Sequence, residues 1–89
     1  MLRRQITIMN KLGLHARAAA RFVQLASRFE CAIKVLKNGK EANGKSIMGV
    51  MMLAAGQGSD IEIVTEGQDE AQALQHLETL VANKFGEEE

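Results

Sequence analysis

The chain has no tryptophan and no tyrosine, and three phenylalanines make up its whole aromatic content, 3% of 89 residues. Without flat side chains there is no platform on which bases could stack, which argues against a nucleic-acid reader. An excess of one charge is also missing, since eleven Lys and Arg balance eleven Asp and Glu. A neutral chain has no global field to gather nucleic acid or a membrane surface, so electrostatic docking must come from local patches. Cys31 is the single cysteine, which rules out an internal disulfide and a cysteine-rich zinc site. Within the strand-like run ECAIKVLK, and with no basic activator beside it, it reads as a small buried apolar residue. No apolar run approaches the about 18 residues that span a bilayer, and the basic start MLRRQITIMN lacks the apolar stretch of a signal peptide. A cytoplasmic location is expected.

What is present is an ordinary globular composition, 46% apolar and 25% charged, on a length that suits one small domain over residues 1–89. In LRRQITIM (2–9), Ile6 and Ile8 alternate with Gln5 and Thr7, the period of a half-buried strand. From Ala16 to Arg28 two stripes run at helical spacing: Ala19, Phe22, Val23 and Ala26 on one face, Arg17, Arg21, Gln24 and Arg28 on the other. The segments at 31–37 and 40–43 flank Asn38-Gly39, a two-residue hairpin signal. Ser46 is a good N-cap for a short helix from about 47 to 53, in which Ile47, Val50 and Met51 share a face. GQGS (56–59) is a loop, DIEIVTE (60–66) a strand with Ile61 and Ile63 inward, and Leu74, Leu77 and Val81 stripe a last helix capped near Asp69. The terminal GEEE reads as a frayed tail. This order, β-α-β-β-α-β-α, predicts an α+β fold with helices on one face of a four-stranded, largely antiparallel sheet and a polar opposite face. So small a chain leaves no deep cleft, and its site is expected on the surface.

The stretch NKLGLHARAAA places His15 at a helix entrance with Arg17 two residues on. The first turn of a helix has amides without intrahelical partners and carries partial positive charge, so an oxyanion there is held by the amides of Ala16 and Arg17. The Arg17 guanidinium adds a fork that fits phosphate oxygens. A neutral imidazole is a competent nucleophile toward phosphorus near neutral pH. Small residues at 13, 16 and 18 would let a phosphate donor approach closely. Two readings stay open on these residues alone: a phosphoryl acceptor, or a histidine that caps the helix or packs at its end. His76, inside the last helix with no basic neighbour, reads as a solvated side chain. Neither histidine has a neighbouring ligand at helical spacing, so no metal site is expected.

KLGLHARAAARFVQLASRF together with GKSIMGVMMLAAGQGSDIEI resembles the histidine-containing phosphocarrier family (HPr and its nitrogen-branch relative NPr) of the bacterial phosphotransferase system. The likeness covers nearly the whole chain, and both motifs stand at the family's separation. It implies the family's open-faced β-sandwich and a carrier with no turnover of its own and no cofactor, acting as a monomer. The phosphoryl group would pass from phosphoenolpyruvate through Enzyme I to Nδ1 of His15, then to a histidine of an A-type (IIA) component, in sugar uptake or nitrogen-related regulation. Arg17 matches the phosphate-stabilising arginine. Ser46 matches the serine that a regulatory kinase and phosphorylase act on in some bacteria. Many sugar-system members carry proline where this chain has Ala18. Alanine keeps an N–H there, so phosphate binding should survive.

Around Ser46, the residues Ile47, Met48, Val50, Met51, Met52 and Leu53 cannot all point inward from a helix of about two turns. Ile47, Met48 and Met51 are therefore expected to dock partners, with Arg17, Arg21 and Arg28 as a basic rim attracting acidic ones. A regulatory binding module that acts through the Ser46 surface without phosphotransfer is the alternative; retention of both His15 and Arg17 speaks against it.

Overall fold

A computed structural model describes all residues, Met1–Glu89. Strand β1 (Leu2–Thr7) is followed by α1 (Ala16–Ala26), β2 (Ala32–Lys37), β3 (Lys40–Asn43), α2 (Ile47–Met52), β4 (Asp60–Glu66) and α3 (Glu70–Ala82). The strands form the four-stranded antiparallel sheet that the sequence predicts, and the structure orders it β1-β4-β2-β3. Register alternation decides the two faces. Ile61, Ile63, Ile33, Val35 and Ala42 point under the helices and are buried with Phe22, Leu77 and Val81. Arg3, Gln5, Glu62, Lys34 and Glu41 fall on the open face, where Arg3 meets Glu62 at 3.1 Å and Lys34 meets Glu41 at 3.5 Å. That face is not wholly polar. Val64 lies on it in register with Arg3 and Lys34, and is buried between these flanking positions.

The Asn38-Gly39 turn has φ of 50° and 81°, the positive pair that a two-residue hairpin demands. Helix α1 ends at Ala26, short of the expected Arg28, because the amides of Arg28 and Phe29 turn to the carbonyls of Leu25 and Ala26, tightening the last turn. Helix α2 ends at Met52, one residue early. Lys37 reaches its end, donating from Nζ to the carbonyl of Ala54 at 3.1 Å, where a cation is favoured. Asp69 holds the N-cap position of α3, but its side chain bonds no helix amide. Its carboxylate instead accepts from the amides of Glu30 (2.9 Å) and Cys31 (3.0 Å), tying the α1–β2 loop to α3. These amide bonds, Glu30's foremost, hold the Asp69 carboxyl below the usual range. Cys31 is buried, and that burial, with Asp69 beside it, pushes its thiol up to about 11, so it is inert at neutral pH.

The C-terminus departs most from expectation. It is not frayed. After α3 the chain makes a tight turn over Lys84–Gly86 with Lys84 and Phe85 at positive φ, and Phe85 is fully buried. The Arg21 guanidinium donates to the Phe85 carbonyl, and the Lys11 amide to that of Glu89. An aromatic ring at the base of a polar tail supplies the burial that anchors the segment.

Candidate functional site

The loop before α1 is rigidly made. Gly13 has φ of 66°, and a Cβ there would stand 2.4 Å from the Ala55 carbonyl oxygen. The Leu14 amide donates to that same oxygen at 2.8 Å. Asn10 is fully buried and donates from Nδ2 to the Gly13 carbonyl at 2.8 Å. These contacts join residues 10–14 to the chain just after α2 and fix where His15 begins the helix.

His15 is the N-cap residue, with φ −75° and ψ −178°, but its side chain caps nothing. The first α1 amide with a helical acceptor is that of Ala19, bonded to the His15 carbonyl at 2.8 Å, so the amides of Ala16, Arg17 and Ala18 are left without partners. The imidazole is about one quarter exposed. Its Nε2 lies 2.6 Å from Oε2 of Glu87, while Nδ1 has no hydrogen bond and is not sealed from solvent. Oε1 of Glu87 accepts from Asn10 Nδ2 at 2.9 Å. Asn10 first and His15 next hold the Glu87 carboxyl below the usual range against the opposing effect of burial, and the Arg17 charge adds to the shift. Lys11, Leu12, His15, Ala16, Arg17 and Glu87–Glu89 line one open depression. Of the small residues expected to admit a donor, only Ala16 is at the surface. Gly13 and Ala18 are buried and serve packing instead.

Helix α2 starts differently. Ser46 Oγ accepts from the Gly49 amide at 3.1 Å, so its predicted cap is formed. Val50 and Leu53 are buried and Met51 is half-buried against the core, whereas Ile47 (42%), Met48 (67%) and Met52 (73%) are exposed. Leu12, in the loop before His15, is also 67% exposed.

The model of the family described as "PTS HPr component phosphorylation site" matches residues 2–83. The chain belongs to the HPr family of the phosphotransferase system. It is 55% identical over 89 residues to the phosphocarrier protein HPr of Cupriavidus necator, and 54% identical to that of Neisseria meningitidis, covering all of each protein in both cases. The HPr crystal structure from Thermoanaerobacter tengcongensis matches with a TM-score of 0.96 at 49% identity, over the whole of both chains. HPr proteins are phosphocarriers and not catalysts, and the four-stranded open sheet with its three helices is the HPr fold.

On this HPr scaffold, the residues singled out from sequence fall into separate groups. His15, Ala16 and Arg17 share the depression. Arg21 and Arg28 line a groove between α1 and Leu80 of α3, and the exposed Arg21 also donates to the Phe85 carbonyl of the C-terminal turn. Next to the Ser46 cap, helix α2 exposes Ile47 and Met48, leaves Met51 half-buried and exposes Met52 more fully. His76 is exposed on α3, bonded to the Gln72 carbonyl and tilted against the Phe29 ring, away from this site. Sequence reasoning missed Glu87, Asn10 and Phe85. Phe85 was accessible to it, since it extends the four-residue spacing Leu77, Val81, Phe85. Nothing in the run of three glutamates distinguishes Glu87.

Proposed function

We propose that the chain accepts a phosphoryl group on Nδ1 of His15 from phosphorylated Enzyme I and passes it to a histidine of an A-type component. The bonds balance simply. The Nδ1 lone pair forms an N–P bond as the donor's bond to phosphorus breaks, and the reverse exchange delivers the group onward. The observation that carries this reading is the uncapped start of α1: a histidine at the N-cap that leaves three successive amides free and its own Nδ1 unbonded. Those amides and the Arg17 fork meet the three phosphoryl oxygens. A histidine present only to cap the helix would have engaged the amides.

Ile47, Met48 and Met52 with Leu12 form the docking surface, and their flexible apolar contact suits a carrier that must bind donor and acceptor in turn. Ser46 is in this reading both a cap and a site for a regulatory kinase, and the carrier works in the cytoplasm as a monomer. The purely regulatory alternative is not favoured, because it leaves the free amides of α1 and the unbonded Nδ1 of His15 without a use. Incubation with phosphoenolpyruvate and Enzyme I tests the assignment. The wild type should gain one acid-labile, alkali-stable phosphoryl group and His15→Ala none. Undiminished incorporation in His15→Ala would overturn it.

A further inference from the structure

We infer that Glu87 is a positioning residue for His15, setting which ring nitrogen carries the proton; this rests on His15 being the phosphoryl acceptor. An Nδ1 nucleophile must hold a lone pair, so in the neutral ring the proton belongs on Nε2. Oε2 of Glu87, 2.6 Å from Nε2, is an ionised acceptor with nothing to donate, and it selects that tautomer. Once phosphorus is bound to Nδ1, a ring that keeps its Nε2 proton is cationic. The same carboxylate then faces that charge, and the ring departs as neutral imidazole when the phosphoryl group moves on.

The carboxylate is itself oriented. The Asn10 amide group is fixed by burial and by its bond to the Gly13 carbonyl, an acceptor only, so its Nδ2 must be the atom toward Glu87. Its Oδ1 is buried with no partner, a cost accepted for holding that orientation. The tail is held at Phe85, which is buried and whose carbonyl is bonded by Arg21. A chain Gly13–Asn10–Glu87–His15 thus runs from buried backbone to the reactive ring.

The forced orientation gives an unusual order of variants. In Glu87→Gln the side-chain oxygen must face Asn10 Nδ2, which turns the new NH₂ toward His15 Nε2. The ring can then only accept there, and the proton moves to Nδ1, blocking the nucleophile. In Glu87→Ala the ring is merely released to both tautomers. The expected order of single-turnover phosphorylation by phosphorylated Enzyme I is wild type, then Ala slower by about tenfold, then Gln by about a hundredfold, the span seen when the hydrogen-bond partner behind a metal-bound histidine is lost. Glu87→Asp should recover part of the rate. Two-bond ¹H–¹⁵N spectra of neutral His15 provide a readout independent of transfer: Nε2–H in wild type, a mixture in Ala, and Nδ1–H in Gln. Deleting residues 87–89 should match Ala, and with Phe85 retained it checks that the effect is not misfolding. Wild-type tautomers and rates in both Ala and Gln, or Gln falling between wild type and Ala, would overturn the inference. If no phosphoryl group reaches His15 in the wild type, the acceptor assignment fails, while the tautomer spectra still decide what Glu87 does.

Discussion

Helices α1 and α2 begin in opposite ways. At α2 the N-cap side chain, Ser46, turns back onto the Gly49 amide and closes the helix end on itself. At α1 the N-cap side chain, His15, turns outward to Glu87, and the amides of Ala16, Arg17 and Ala18 stay unpaired. A capped start gains about 1 kcal/mol, and an uncapped one forgoes it. The open end is supported from behind by a buried asparagine, a glycine that no other residue fits, and the folded tail. A cap is thus forgone at one helix start, and that start keeps three free donors, which the proposed reading gives to an incoming oxyanion.

The largest expected effect comes from breaking the support of the open end. Gly13→Ala puts a methyl 2.4 Å from the Ala55 oxygen at a φ of 66°. It should cost about 2–4 kcal/mol in urea unfolding, from strain and a displaced backbone together, and should slow phosphoryl transfer. Next is the charge at the open end. Arg17→Ala should slow transfer without abolishing it, since the amides remain, and Arg17→Lys should recover only part. Transfer at the wild-type rate in Arg17→Ala would make the arginine ordinary surface charge.

At the closed end, Ser46→Asp replaces one good cap with another, so thermal unfolding should stay near wild type. Its added charge lies beside the exposed Ile47 and Met48, and the affinity for Enzyme I should fall, more at low salt than at high. Equal affinities at low salt would place residue 46 outside the docking surface. The smallest effect swaps the two ends: His15→Ser should be about 1 kcal/mol more stable than His15→Ala because it supplies the missing cap, while Ser46→Ala should lose about the same. Lowering the pH compares them again. The Glu87 carboxyl is held low, so its contribution is present above the usual carboxylate range and is lost as pH falls through its depressed value. The His15–Glu87 contact should therefore open in acid while the Ser46 cap persists, as amide exchange and His15 ring shifts would report.

Periodic side-chain patterns made most of the fold legible. The Ile61–Ile63 alternation, the double stripe of α1 and the Asn38-Gly39 turn each carry a local geometric demand, and each element formed. The placement of His15 and Arg17 at the start of α1, and of Ser46 at the start of α2, was legible for the same reason, because local sequence marks a helix start. What stayed hidden depends on contacts between distant parts of the chain. Asn10 meets Glu87 across 77 positions, and nothing local to either residue announces it. Asp69 occupies a cap position, yet its carboxylate is drawn to the amides of Glu30 and Cys31 on another loop. Met51 and Met52 differ in exposure because α2 lies against the core on one side only, which the sequence of a two-turn helix does not resolve.

The central claim, that the open amides of α1 are kept for a phosphoryl group on His15, is tested most directly by amide spectra of the protein before and after phosphorylation by Enzyme I. The account predicts an N–P bond at His15 Nδ1 and large shifts of the Ala16 and Arg17 amide protons as they take up phosphoryl oxygens, with the Gly49 amide unmoved at its Ser46 cap. A phosphoryl group found on any other residue, or Ala16 and Arg17 amides that do not respond to one on His15, would contradict it.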